Sequence, residues 1–199
     1  ELDDMARQVG FSLANDGLRH GDRVAALMYP SPWHLALLLA CARQGYVWCP
    51  LNVALGKNDM AYTLSDLEPA ILFVDEDLTD TLNIVITEQK KFQAIPQVRC
   101  ATYKGKDQPN FAKNWLTGKH WEGNCKATSA DSFAIIYSGG TTGRPKGIEI
   151  SQFYCVSAAL RLSEMANFGE NETFFSVLQF SHAWTPITVM PFCLIFDHT

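Results

Sequence analysis

A segment between Tyr137 and Gly147 contains the residues of this chain that are best suited to bind phosphate groups. It reads Tyr-Ser-Gly-Gly-Thr-Thr-Gly-Arg-Pro-Lys-Gly and follows an apolar run. Glycines let the backbone take positive φ and approach a ligand closely, hydroxyl groups donate hydrogen bonds, and a lysine supplies positive charge. We therefore expect a loop that holds a triphosphate. The residues assigned to this loop are Ser138, Gly139, Gly140, Thr141, Thr142, Gly143 and Lys146.

Two other interpretations apply to the same segment. A Walker A loop needs Gly-Lys-Ser/Thr in direct succession, whereas Arg144 and Pro145 separate the last loop glycine from Lys146, and Gly147 takes the hydroxyl position. This spacing argues against a P-loop NTPase. A plain glycine-rich hairpin turn stays open, because Ser-Gly-Gly-Thr-Thr-Gly between two apolar runs is also favourable turn chemistry.

The longer pattern, from the apolar strand through Ser151, resembles the signature loop of the adenylate-forming superfamily. This superfamily comprises acyl-CoA synthetases, aryl-CoA ligases of the coumarate type, firefly-type luciferases and the adenylation domains of peptide synthetases. Gly21-Asp22-Arg23-Val24-Ala25 and Pro50-Leu51-Asn52 are similar to the amino-terminal patterns of the same superfamily. The resemblance covers most of the chain except about residues 92–129. It implies that residues 1–199 form part of the large amino-terminal AMP-binding domain.

The resemblance also implies a two-step reaction. A carboxylate attacks the α-phosphate of Mg²⁺-bound ATP, and the resulting acyl-adenylate passes its acyl group to the thiol of coenzyme A. Lys146 and His182 would be the catalytic residues, with His182 near the α-phosphate, in the segment where relatives carry Pro-x-Phe-His. In relatives the adenine, ribose and Mg²⁺ sites and the carboxy-terminal lid come later, so no metal ligand is assigned and the chain alone is expected to be inactive.

Departures from the superfamily pattern keep an alternative open. Gly139 replaces a residue with a hydroxyl group, while Gln179 and Ser181 stand where a proline and an aromatic residue are usual. A non-catalytic nucleotide-binding or interaction module on the same fold therefore stays open, as does a purely structural role for His182. Fatty or aryl acids are favoured over amino acids as substrates, because residues 180–185 contain no acidic side chain that could bind a substrate amine.

Composition narrows the possible partners and locations. The chain has 199 residues, 47% of them hydrophobic, and a formal net charge of −5, so neither nucleic acid nor an anionic membrane is an expected partner. The longest apolar stretch, Leu35–Ala42, is shorter than the roughly 20 residues that cross a bilayer. Six cysteines without a Cys-x-x-Cys pair indicate a reducing compartment. We expect a cytoplasmic protein, while a peroxisomal or mitochondrial location stays open.

Hydrophobic periodicity predicts the elements that must position these residues. The predicted helices are Leu2–Ala14, Pro32–Arg43, Lys57–Asp66, part of Asp75–Lys90, a short segment near Phe111–Leu116, and Ser151–Met165. The predicted strands are Val24–Met28, Tyr46–Leu51, Ala70–Val74, Phe133–Tyr137 and Gly147–Ile150. Strands that alternate with helices predict an α/β fold with a mostly parallel sheet flanked by helices.

Overall fold

A six-stranded sheet forms the centre of the computed structural model, which describes residues 1–88, 97–100, 116–139, 143–165 and 173–196. The spatial order is β4-β3-β1-β2-β5-β6. Neighbouring strands are parallel from β4 to β5, and β6 pairs antiparallel with β5 at one edge. The strands are β1 (Arg23–Leu27), β2 (Val47–Pro50), β3 (Ile71–Val74), β4 (Gln97–Cys100), β5 (Ser132–Ser138) and β6 (Lys146–Ser151).

Helices cover both faces of this sheet. They are α1 (Leu2–Asn15), α2 (Pro32–Gln44), α3 (Lys57–Leu67), α4 (Glu76–Glu88), α5 (Gln152–Met165), a π-helical turn (Thr185–Val189) and α6 (Met190–Phe196). The crossover from β1 to β2 runs in one direction along the sheet, and the crossovers to β3 and then to β4 run in the other. Right-handed crossovers in opposite directions place their helices on opposite faces. Accordingly, α2 packs with α1 and α5 on one face, and α3 packs with α4 on the other.

Alternate residues of the central strands belong to two separate hydrophobic cores. In β1, Val24 and Ala26 face the core under α1 and α2, whereas Ala25 and Leu27 face the core under α3 and α4. All four side chains are fully buried. Because successive residues of a strand point to opposite faces, a sheet covered on both sides requires a continuous apolar run such as this one.

Local capping fixes the start and end of the helix between β1 and β2. Ser31 caps α2, since its Oγ accepts a hydrogen bond from the amide of His34 at 3.1 Å. Gly45 ends the helix with φ of 74°, a left-handed conformation that favours glycine. A Cβ at Gly45 would lie 2.4 Å from the His20 ring, so space as well as backbone conformation requires glycine here.

The structure confirms the predicted fold class and most of the predicted elements. The observed ends of β1, β2 and α1 to α3 lie within one residue of their predicted positions. The strand β4 and the π-helical turn with α6 were not predicted. The short helix expected near Phe111–Leu116 falls outside the described residues, apart from Leu116. Within the described part of the chain, no helix has both the length and the apolar character needed to cross a membrane.

Asp75 is a buried acidic residue at the carboxyl end of β3. Its side chain is 5% exposed, and its Oδ2 accepts a hydrogen bond from the Tyr29 amide at 2.7 Å. Burial raises the pKa of Asp75 to about 6, although the bond from Tyr29 acts in the opposite direction. Because the folded state favours the protonated acid, the stability that this group contributes is complete below about pH 4 and is lost as the pH rises through about 6.

We expect Asp75→Asn to stabilise the protein at pH 7.5 by about 1 to 2 kcal/mol and to leave its stability at pH 4 nearly unchanged. A raised pKa of this size corresponds to at most about 3 kcal/mol, and solvent near the carboxylate reduces this cost. Urea denaturation at the two pH values measures the difference. Asp80→Asn, on the exposed surface of α4, is the control. Equal effects of Asp75→Asn at both pH values would contradict the assignment.

Candidate functional site

A cleft of about 430 Å³ lies at the carboxyl edge of the sheet. One wall is formed by the ends of β2 and β5 with the residues that follow them, and the other by the segment that contains His182. The lining residues are Pro50, Leu51, Asn52, Ala54, Leu55, Tyr137, Ser138, Gly139, Pro145, Val177, Leu178, Gln179, Ser181 and His182. Open α/β sheets bind their ligands at this edge, outside the carboxyl ends of the strands.

The parallel pairing of β2 with β5 brings two distant parts of the sequence to the same wall. Trp48 of β2 is in register with Ala134 of β5, so both strands end at the same edge. The chain after β2 turns sharply at Asn52, whose Oδ1 accepts a hydrogen bond from the Ala54 amide at 2.9 Å. Such an Asx turn keeps the Asn52 side chain at the strand end and inside the cleft.

The glycine-rich segment that is predicted to bind phosphate connects strands β5 and β6, which form a hairpin. In this hairpin Tyr137 is in register with Gly147, and Ser138 with Lys146. The Ser138 Oγ donates to the Lys146 carbonyl at 3.5 Å. A Cβ at Gly147 would lie 3.1 Å from Ile135 and 3.2 Å from the Tyr137 ring, so the missing side chain lets Tyr137 lie over β6.

Tyr137 fastens the hairpin to α3. Its hydroxyl donates to Asp66 Oδ2 at 2.7 Å, across 71 residues of sequence. Burial, and then this hydrogen bond, raise the pKa of Tyr137, so the phenol remains a protonated donor. A second contact acts at the same place, because the Arg144 guanidinium lies 5.1 Å from the centre of the Tyr62 ring.

His182 sits in a turn on the opposite wall of the cleft. The His182 amide donates to the Gln179 carbonyl at 2.9 Å, and the Trp184 amide donates to His182 Nδ1 at 3.4 Å. The second contact requires an unprotonated Nδ1, so a neutral ring carries its hydrogen on Nε2. The imidazole is exposed, and its Nε2–H is a donor available to a ligand.

The loop leaves open space beside Gly139 and Gly143. A Cβ placed on Gly139 or Gly143 would meet nothing within 4 Å. Gly139 does not have a positive φ, so neither backbone conformation nor crowding by the described residues requires glycine at this position. Gly140, Thr141 and Thr142 lie outside the described residues.

The cleft unites Ser138, Gly139 and His182, three of the residues singled out in the sequence. Lys146 is exposed and adjacent to Ser138 in the hairpin, but it does not line the cleft. Sequence reasoning assigned no site role to several other lining residues, among them Asn52, Tyr137, Gln179 and Ser181. Asn52 and Tyr137 had a usable signal, because both lie at the ends of predicted strands that meet at one edge of a parallel sheet.

Comparison with known proteins defines the class. The model of the family described as AMP-binding enzyme matches residues 1–198, and the chain therefore belongs to that family. A 3-hydroxybenzoate/4-hydroxybenzoate–CoA ligase of Thauera aromatica is 32% identical over 153 residues. That match covers 74% of this chain but only 28% of the ligase, so the chain spans less than a third of this relative's length.

Two solved structures share this fold. The crystal structure of ATP-bound MatB from Rhodopseudomonas palustris superposes on this chain with a TM-score of 0.82 at 27% identity. The match covers all of this chain and 38% of MatB. The inhibitor-bound amino-terminal domain of FACL13 from Mycobacterium tuberculosis gives a TM-score of 0.85 at 21% identity, over all of this chain and 48% of that one. The second comparison supports the fold alone.

We expect Tyr137→Phe to lower the free energy of unfolding by about 1 kcal/mol, because it removes the hydrogen bond to Asp66 that fastens the hairpin to α3. Thermal or urea denaturation measures the loss. Tyr62→Phe is the matched control, since the ring under Arg144 is retained. Equal destabilisation by the two substitutions would show that the Tyr137 hydroxyl has no special role.

Proposed function

We propose that this chain is the phosphate-binding part of an ATP-dependent acid–thiol ligase, which activates a carboxylic acid as its acyl-adenylate and transfers the acyl group to coenzyme A. The cleft carries this proposal. The support is that Ser138, Gly139 and His182 line the same cleft, at the edge of the sheet where nucleotides bind in α/β proteins.

In the first step the substrate carboxylate attacks the α-phosphorus of ATP, and pyrophosphate leaves with the electrons of the broken phosphorus–oxygen bond. Amides and hydroxyls of the segment 138–143 would bind the phosphate oxygens, and Lys146 would add a mobile positive charge from the end of the hairpin. His182 would donate from Nε2 to an oxygen of the α-phosphate or of the attacking carboxylate. These donors would lower the barrier because they stabilise the negative charge that develops on the phosphate oxygens in the transition state.

In the second step the sulfur of coenzyme A attacks the acyl carbon, and AMP leaves with the electrons of the acyl–oxygen bond. Mg²⁺ would enter with the phosphates of ATP. Among the described residues no group of three or more His, Cys, Asp or Glu side chains is arranged to hold a metal ion. We therefore assign none of the described residues as a ligand of Mg²⁺.

The lining of the cleft supports a fatty or aryl acid as the substrate. The described residues of the lining include no Asp or Glu that could pair with the amine of an amino acid substrate. Leu51, Leu55, Val177 and Leu178 give the walls an apolar character, which suits a hydrocarbon or aromatic acid.

The direct test is ATP–pyrophosphate exchange with a panel of fatty, aryl and amino acids. It is run on the 199-residue chain and on the longest polypeptide that the same gene encodes. Exchange by the longer polypeptide with a fatty or aryl acid supports the ligase. No exchange by either polypeptide, with ATP binding retained, would contradict catalysis and favour a non-catalytic nucleotide-binding module.

We expect Lys146→Ala to reduce pyrophosphate exchange by about 10²- to 10³-fold, because it removes a positive charge from the developing phosphate charge. The rate of exchange in the longest polypeptide measures the loss. Lys119→Ala is the matched control, because Lys119 lies over the Phe11 ring, at 5.8 Å, and is not among the residues that line the cleft. An unchanged rate of pyrophosphate exchange in Lys146→Ala would show that Lys146 has no role in the site.

A further inference from the structure

His34 is a buried histidine in the first turn of α2. It is 1% exposed, and the cap formed by Ser31 fixes its backbone. Its Nδ1 lies 3.4 Å from the Tyr29 carbonyl and donates to it in the neutral ring. Its Nε2 has no hydrogen-bond partner among the residues that the structure describes. A buried polar atom without a partner lowers the stability of the folded state. The His34 imidazole at this position therefore suggests a role other than stability.

The ring of His34 lies between two aromatic side chains. Its centre is 5.5 Å from Trp48 of β2, at an interplanar angle of 62°, and 5.0 Å from Phe180, at 53°. Trp48 is completely buried in the sheet and offers a rigid support. Phe180 is partly buried and belongs to the turn between Gln179 and His182. Tilted and edge-on aromatic contacts of this kind favour a defined geometry over a sliding one.

Phe180 is therefore the point where the His182 turn is fixed to the core. Its neighbours in sequence, Gln179 and Ser181, both line the cleft, while Phe180 points away from it toward His34. The turn has no neighbouring strand to hold it, since residues 173–183 contain none. The contact with His34 holds it, together with hydrogen bonds, among them those from the Thr185 hydroxyl to the Leu178 carbonyl and from the Thr185 amide to the His182 carbonyl.

Burial explains how an imidazole can serve as such a support. It lowers the pKa of His34 to about 4, so the ring is neutral near pH 7 and carries no charge into the apolar sandwich. Leucine or valine would fill part of the same space but has no flat face to orient Phe180, and the Nδ1–H bond to Tyr29 sets the plane of the ring.

We propose that His34 is a positioning residue of the cleft: its ring, held between Trp48 and Phe180, fixes the Gln179–His182 turn and so sets where the His182 imidazole stands opposite Ser138 and Gly139. The importance of that position for catalysis rests on the proposed function. The position itself does not.

The test records the imidazole NMR signals of the 199-residue chain without nucleotide. The chain has five histidines, and the signal lost in His182→Gln identifies His182. We expect His34→Ala to shift the His182 signals and His34→Phe, which keeps an aromatic ring, to restore them. Phe180→Ala should shift them as well, and the double variant His34→Ala/Phe180→Ala should add nothing further, because both residues act through one contact.

Leu82→Ala is the control for a loss of stability alone. Leu82 belongs to α4 and is completely buried in the core that α3 and α4 form with the other face of the sheet. It should lower the melting temperature and leave the His182 signals in place. Unchanged signals in His34→Ala, or equal shifts in Leu82→Ala, would overturn the proposal. If His34→Ala does not fold, His34→Leu makes the same comparison.

ATP titration separates this proposal from the proposed function. In a chain that binds ATP, His34→Ala should weaken binding about tenfold through the misplaced turn, and His34→Phe should restore it. If the unmodified chain does not bind ATP, the proposed function loses support. The shift of the His182 signals in the nucleotide-free chain still decides the role of His34.

Discussion

Burial of the parallel strands on both faces is the constraint on which the rest of this structure depends. The side chains of β3 and most of those of β1 and β2 are almost completely excluded from water, and they alternate between two cores. Such strands offer no exposed face on which a polar site can form. Polar groups must therefore gather at the edges of the sheet, and parallel strands bring all of their carboxyl ends to one edge.

Three anchors turn that edge into a defined cleft. Asn52 closes a tight turn after β2, and the hydroxyl of Tyr137 ties the end of β5 to Asp66 of α3. The contact between Phe180 and His34 fixes the turn on the opposite wall. Each anchor joins residues that the sheet has already brought close. The entropy cost of bringing distant parts of the chain together is therefore shared with the sheet and not borne by one contact. The same cores that exclude water from β1 thus hold the residues that line the cleft in place.

Sequence patterns were sufficient for the fold and for part of the cleft. Apolar runs such as Val24–Met28 identify strands buried on both faces, and Ser31-Pro32 marks the beginning of α2. The sequence also singled out the glycine-rich loop and His182, and Ser138, Gly139 and His182 line one cleft, whereas their phosphate-binding and catalytic roles stay predictions. The resemblance to adenylate-forming enzymes agrees with the family match over residues 1–198.

Other features depend on contacts that a linear pattern does not encode. The short strand β4 is defined by its pairing with β3, and the π-helical turn depends on packing against α5. His34 looks in sequence like one more residue of an amphipathic first turn, and only the fold brings it to Trp48 and Phe180. The hydrogen bond between Tyr137 and Asp66 spans 71 residues, and nothing in either local sequence predicts it.

The central claim is that the cleft between the strand ends and the His182 turn binds the phosphates of a nucleotide. A backbone amide NMR titration of the isotope-labelled chain with ATP tests this claim most directly. We expect chemical-shift changes concentrated at Ser138, Gly139 and His182 around the cleft. A larger polar groove of about 500 Å³, lined by His20, Arg23 and Glu149, lies elsewhere on the chain and provides the comparison. Chemical-shift changes confined to that groove, or no changes at any concentration of ATP, would contradict nucleotide binding in the cleft.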